Sequence, residues 1–238
     1  MTFWSRLPVV ATLVTLTAVV IMFALGCWQL QRADEKTARL AAMQRAAETD
    51  ALSLQQAKEM HEQALDMTVQ FNGRMDIERY FLLDNKIQHG TVGYEVLAIV
   101  NTIAGKVVVN LGWLAAPRLR SEFPQVDLSA EFQSYRGMVA IPKHNHLITE
   151  TAEFDQQWPK VLQQVDLKVI EQHYAGDLLP FIVLLDDQQG SGYVRKWQAV
   201  VMPPEKHLAY AIQWFLLASA ALVIFVIAQH KKFKRGSE

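Results

Sequence analysis

The chain has 238 residues, 51% of them hydrophobic and 20% charged, with a formal net charge of -1. That near-neutral balance argues against a general nucleic-acid binder. A single cysteine, Cys27, excludes an intramolecular disulfide and any Cys-x-x-Cys metal or redox site.

The averages hide an apolar block at each end and a polar middle. After a short N-terminus, residues 1–6, the stretch from Leu7 to Gln31 carries no formal charge. That is long enough for an apolar helix across a bilayer. Pro8 falls near its start, where a missing amide donor costs least. A cleaved secretory signal is the competing reading. The length of the core and its ending in Gly26-Cys27-Trp28-Gln29-Leu30 favour an uncleaved helix over residues 7–31. Cys27 after a glycine imitates a lipoprotein signal, but Ala24-Leu25-Gly26 fits one poorly. We read Cys27 as a small buried side chain of the helix.

Residues 32–67 are rich in Ala, Gln, Glu, Lys, Leu and Met, all strong helix formers. Leu40, Met43, Ala47, Leu52 and Leu54 give an imperfect apolar face, and Thr49-Asp50 interrupts it or caps a second helix near Ala51. This predicts a helical stalk. From Val69 the pattern turns to short apolar runs: Val69–Phe71, Tyr80–Leu83, Tyr94–Val100 and Lys106–Leu111. Asn72-Gly73, Asn85, His89-Gly90, Gly93 and Ala104-Gly105 punctuate them, as turns do in an antiparallel meander. Glu131–Ile141, Val165–Tyr174 and Phe181–Leu185 are further strand candidates, and Thr151–Trp158 is a short helix ended by Pro159. Residues 68–206 therefore read as one β-rich domain.

The second anchor covers residues 207–229 and is charge-free from Leu208 to Gln229. A basic tail, residues 230–238, follows with His230, Lys231, Lys232, Lys234 and Arg235. Positive flanks mark the cytoplasmic side. The expectation is a two-pass protein of a bacterial inner membrane, both termini cytoplasmic and residues 32–206 periplasmic. The fold class is α+β: two transmembrane helices flanking an extracytoplasmic domain with an antiparallel β-sheet and a helical N-terminal stalk.

Chemistry-bearing motifs are sparse. His144-Asn145-His146 reads as a solvated loop, with no third metal ligand nearby in sequence. Asp186-Asp187 reads as a turn rather than a paired-acid site. No phosphate loop, His-Glu-x-x-His or nucleophile elbow occurs, so nothing favours an enzyme. A two-span sensor would need a cytoplasmic output domain, and the inward tail is short. The membrane boundaries say more. Trp28 and Arg32 are four apart at the end of the first span, and Gln29 lies between them. His207, Tyr210, Gln213 and Trp214 begin the second. Interfacial anchoring accounts for Trp28, Arg32, Tyr210 and Trp214. Gln29, Gln213 and His207 want partners, in the other helix or in a ligand, and a neutral imidazole there can ligate haem iron.

At these residues the sequence resembles the SURF1/Shy1 family of cytochrome oxidase assembly factors. Leu25-Gly-Cys-Trp-Gln-Leu-Gln-Arg32 is similar to the family's Gly-x-Trp-Gln-x-x-Arg pattern. Gly90-Thr-Val-Gly-Tyr-Glu-Val96 and Val107-Val-Val-Asn-Leu-Gly-Trp113 match further text, with Leu111 where the family usually has arginine. His207-Leu-Ala-Tyr-Ala-Ile-Gln-Trp-Phe215 resembles His-x-x-Tyr-Ala-x-x-Trp-Phe. The resemblance implies a non-catalytic factor that assists haem insertion into, or stabilisation of, subunit I of a haem-copper oxidase. It implies transient haem a as the cofactor, His207 as the candidate iron ligand, and haem a synthase or other assembly factors as further partners besides the bilayer. Trp28, Trp214 and Arg32 would complete the cofactor site, Arg32 meeting the propionates. Gln29, Tyr210 and Gln213 would serve interactions. A purely structural membrane scaffold for an oxidase complex, and a two-span sensor or transport accessory protein, are the alternatives.

Overall fold

A computed structural model of the chain describes residues 9–119, 122–152, 157–186, 192–197 and 202–235. The chain divides into two compact units. One comprises the terminal segments 1–42 and 198–238, the other residues 43–197.

The first unit is a helix pair. Helix α1 runs Val9–Ala47 and helix α4 runs Pro204–Arg235. Both are long and apolar enough to cross a membrane. Their large side chains face outward: Val9 is 70% exposed, Val20 66% and Ile224 67%. A soluble surface rarely presents apolar area on that scale, whereas lipid accepts it. At ~1.5 Å per residue, α1 is roughly 58 Å long, about twice the hydrocarbon thickness of a bilayer. It therefore passes unbroken from the apolar block into the polar sequence beyond Arg32. Cys27 is exposed rather than buried, a correction to the sequence reading. Its neighbour Gly26 takes the inward position.

The second unit begins with a short helix and ends in a ring of strands. Helix α2 (Leu54–Met60) starts with a capping box. Ser53 Oγ accepts from the Gln56 amide at 3.2 Å, and Gln56 Oε1 accepts from the Ser53 amide at 2.8 Å. A 3-10 turn, His61–Ala64, completes the stretch. The strands are β1 (Thr68–Gln88), β2 (Thr91–Thr102), β3 (Gly105–Ala115), β4 (Phe132–Ala140), β5 (Lys160–Leu162) and β6 (Leu178–Leu185). Helix α3 (Leu167–Tyr174) lies between β5 and β6. The six-stranded sheet has the order β2-β3-β6-β4-β1-β5, and β1 also pairs with β2. Strands β1, β2, β3, β6 and β4 thus close on themselves, with β5 added outside the ring. Most pairs are antiparallel, but β3–β6 and β1–β5 are parallel, so the sheet is mixed.

Period-two alternation explains the core. Val96, Ala98, Val100, Val107, Val109, Phe181 and Val183 belong to one buried cluster, on which Leu54 and Ala57 of α2 also pack. The intervening Leu97, Ile99, Val108 and Ile182 join a second cluster with Leu162 of β5 and Ile170 and Tyr174 of α3. Burial on both faces is why β2 and β3 read as near-continuous apolar runs.

Several expectations change here. Asn85 and Gly93, expected to separate strands, lie inside β1 and β2, Asn85 within the register shift between Leu83 and Lys86. Asn72-Gly73 is not a turn: the predicted strands Val69–Phe71 and Tyr80–Leu83 are halves of one long β1, with a register shift between Met75 and Tyr80. A Cβ on Gly73 would lie 2.5 Å from Val100 Cγ1 and 2.6 Å from the Asn101 carbonyl, so this glycine admits the close approach of β2. Val165–Tyr174 is not a strand. Asp166 accepts a hydrogen bond from the Lys168 amide and caps α3, which buries Ile170 and Tyr174 one turn apart. The short helix predicted at Thr151–Trp158 falls partly on residues outside those described, and Thr151, Ala152, Gln157 and Trp158 are not helical.

Helix α3 is pinned to the sheet by charge. The Tyr174 hydroxyl donates to Asp76 Oδ2 at 2.9 Å, and the Arg79 guanidinium lies 4.1 Å over the Tyr174 ring. Lys106 Nζ lies 5.1 Å from the same ring centroid. Burial pushes the Asp76 carboxyl up. Hydrogen bonds from the Arg79 amide, the Tyr174 hydroxyl, the Arg79 guanidinium and the Glu78 amide outweigh that and hold it below its ordinary value.

Candidate functional site

The helix pair meets along a seam of small residues: Ala33 is 2% exposed, Ala211 1% and Ala218 5%. Gly26 is a point of close approach: a Cβ there would lie 2.5 Å from Phe215 Cε1. Phe23 supports the same ring, with centroids 5.3 Å apart. Small residues let helix backbones approach where no hydrophobic drive exists between them.

Two polar side chains sit on this seam. His207, in the first turn of α4, is 8% exposed, and its Nδ1 lies 2.7 Å from Gln29 Oε1 on α1. The carboxamide oxygen accepts in this contact when Nδ1 carries the ring hydrogen. The other ring nitrogen, Nε2, is buried and has no hydrogen-bond partner among the described residues. A buried polar atom left unmatched costs on the order of 1–3 kcal/mol, so a native one calls for an explanation.

The remaining predicted residues are spread around this pair. Trp28 is 47% exposed, and the Arg32 guanidinium lies 5.5 Å over its ring, as their four-residue spacing predicts. Arg32 Nη1 is held by Glu35 Oε2 at 2.7 Å. The guanidinium thus already has a carboxylate partner and offers its other donors to a second one. Trp214 is half-buried, on the same face of α4 as His207. Tyr210 and Gln213 are exposed, and no hydrogen bond joins them to His207 among the described residues. The sequence reading assigned no role to Gly26, Phe215 and the alanines. Their signal was available in Ala211 and Ala218, seven apart in step with His207 and Trp214.

The motifs inside the domain are architectural. Gly93 faces Trp113, whose Nε1 donates to the Lys86 carbonyl at 2.9 Å. Asn110 Nδ2 donates to Glu95 Oε2 at 2.8 Å. Leu111 points its side chain into the first core cluster, and its carbonyl accepts from Arg195 Nε at 2.6 Å. Arg195 Nη1 also donates to the Asp186 carbonyl at 2.8 Å. Gly112, at φ +118°, leaves the space in which Tyr193–Arg195 lies against β3, Val194 pairing antiparallel with Trp113.

His144 and His146 do come together, ring centroids 4.7 Å apart, beside an open cleft of about 490 Å³. His144 Nδ1 lies 2.8 Å from Asp166 Oδ2, a partner the sequence did not suggest. Among the described residues no group of three or more His, Cys, Asp or Glu is placed to hold a metal ion. Asp187 lies outside the described residues.

Comparison with known proteins matches these features to one family. The SURF1 family model covers residues 16–219. A SURF1-like protein of Rickettsia felis is 26% identical over 226 residues, covering 90% of this chain and 95% of the relative. The match spans the helix pair and the strand ring alike, and the chain belongs to the SURF1 family, known generally as oxidase assembly factors.

Proposed function

We propose that this protein is a non-catalytic assembly factor for a haem-copper terminal oxidase, holding haem a transiently while subunit I receives it. In this reading α1 and α4 cross a bacterial inner membrane with both termini cytoplasmic and the strand ring periplasmic. The basic residues after Gln229 support that orientation. The observation that carries the proposal is the buried Nε2 of His207, which has no hydrogen-bond partner among the described residues. Neutral imidazole nitrogen is a common ligand of haem iron; His207 would hold the group through Nε2, and bound haem would supply an iron centre that accepts this lone pair. Trp28 and Trp214 offer aromatic surface near the membrane boundary. Arg32 offers donors for a propionate beside its bond to Glu35. Haem a synthase and other assembly factors are the partners expected alongside subunit I.

A second reading has a specific observation in its favour. The close fit of Gly26 against Phe215 is what a purely structural helix pair needs, and such a scaffold would dock subunit I without haem. An absorption spectrum separates the two. The detergent-purified protein, co-produced with haem a synthesis, should show a stoichiometric Soret band that weakens or shifts in His207→Ala. Absence of haem from the wild type, with subunit I still co-purifying, would leave the scaffold.

A further inference from the structure

We propose that Gln29 is the positioning residue of this site. By accepting the Nδ1 proton it fixes His207 in one tautomer and leaves Nε2 as the ring's only lone pair. The proposal rests on reading His207 as a ligand, and it adds the reason this histidine can be one.

A neutral imidazole has one N–H. With the Gln29 oxygen 2.7 Å from Nδ1, that hydrogen is on Nδ1. Nε2 is then a pure acceptor. Unconstrained histidine prefers the opposite tautomer, with hydrogen on Nε2, and in that form Nε2 ligates nothing. Gln29 thus inverts the ring's own preference. A partner on the second nitrogen sets which nitrogen is available, and it also holds the ring's orientation and raises its basicity. In metalloproteins that partner is usually a carboxylate or a backbone carbonyl. Here it is a neutral carboxamide on the neighbouring helix, which brings no charge to the edge of the hydrocarbon.

The arrangement also defines the ligand class. A bare imidazole lone pair attracts an electrophilic metal centre or an N–H or O–H donor, and it repels carbonyl and carboxylate oxygens. The site therefore discriminates by polarity before shape. Its competence depends on α1 and α4 staying in register, because the two atoms belong to different helices.

The test uses the full chain in lipid nanodiscs with ¹⁵N-labelled histidine, the His207 signals being assigned by their loss in His207→Ala. The wild type should show a protonated Nδ1 and an unprotonated Nε2. Gln29→Leu should move the hydrogen to Nε2, and Gln29→Glu, which keeps an accepting oxygen, should restore the wild-type pattern. A parallel titration with ferric haemin should show affinity falling about 10–100-fold in Gln29→Leu and recovering in Gln29→Glu. A wild-type ring protonated on Nε2 overturns the proposal whether or not any variant folds. So does a Gln29→Leu protein whose tautomer is unchanged, or one that switches tautomer and keeps full haemin affinity. Should no form bind haemin while the tautomer pattern holds, the haem reading fails and the role of Gln29 in orienting His207 stands.

Discussion

Gly26→Ala puts a single methyl group into a close contact of the helix pair. Its Cβ would lie 2.5, 2.7 and 2.9 Å from three atoms of the Phe215 ring. Carbon atoms in contact sit about 3.5–4.0 Å apart, so the ring or the helix must move by about 1 Å. Two terms of opposite sign then compete. Alanine is the better helix former by about 1 kcal/mol. Overpacking a fitted contact costs about 1–3 kcal/mol. The overpacking term should win, giving a net loss of about 1 kcal/mol against a gain of the same size had the site been open. The motion has a second effect. Gln29 is less than one turn from Gly26, and a 1 Å separation there would stretch its 2.7 Å bond to His207 to roughly 3.7 Å, beyond hydrogen-bonding range. The assay is equilibrium unfolding of the full chain in mixed micelles, run as a cycle with Phe215→Ala. Removing the ring should turn Gly26→Ala into a stabilising change, with a coupling of about 2 kcal/mol. If Gly26→Ala stabilises the native chain, or adds to Phe215→Ala without coupling, the packing argument is wrong.

The strand domain makes its own predictions. Asp76 has a folded-state pKa below its ordinary value, so the unfolded chain binds more protons between the two values. Its contribution is fully present above the ordinary carboxylate range and is lost as pH falls through the lowered folded value. Thermal melts from about pH 6 to about pH 2 should show this loss, and Asp76→Asn should flatten that part of the profile. Gly93→Ala would set a Cβ 2.1 Å from the Leu114 carbonyl and 2.5 Å from the Trp113 indole, and neither a paired strand nor a buried ring yields cheaply. It should destabilise by about 3 kcal/mol or more and disturb tryptophan fluorescence; a native melt would refute it. Ser53→Ala removes the cap of α2 and should cost about 1 kcal/mol by denaturant unfolding, with Ser53→Thr nearly neutral.

Element type was legible wherever one physical cause dominated. The two apolar blocks could only be helices, and Val107–Val109 could only be a buried strand. The Val165–Tyr174 segment misled because Val165, Leu167 and Val169 alternate like a strand. Asp166 as a cap, with Ile170 and Tyr174 four apart, carried the helical signal instead. Asn72-Gly73 misled for a different reason: the glycine serves a neighbour 27 positions on, Val100, which no local rule sees. The parallel β3–β6 pairing joins segments separated by β4, β5 and α3 and has no local mark. The same holds for the helix pair. His207 and Gln29 each stood out as polar groups in apolar surroundings, but their bond links residues 178 apart. Chemistry was therefore readable residue by residue, and the pairing was not.

The strand ring is completed out of chain order, and this has a consequence during synthesis. Strand β6, the last made, is seated between β3 and β4. Until Leu178–Leu185 has emerged, the nascent chain has two open strand edges, one on β3 and one on β4. Unpaired edges recruit other chains, and long-range pairings form slowly. A ribosome that stalls before residue 178 therefore releases more than an incomplete product. It leaves a segment templated on both sides for aggregation, a demand on chaperones and proteases that ends when the sixth strand slots in.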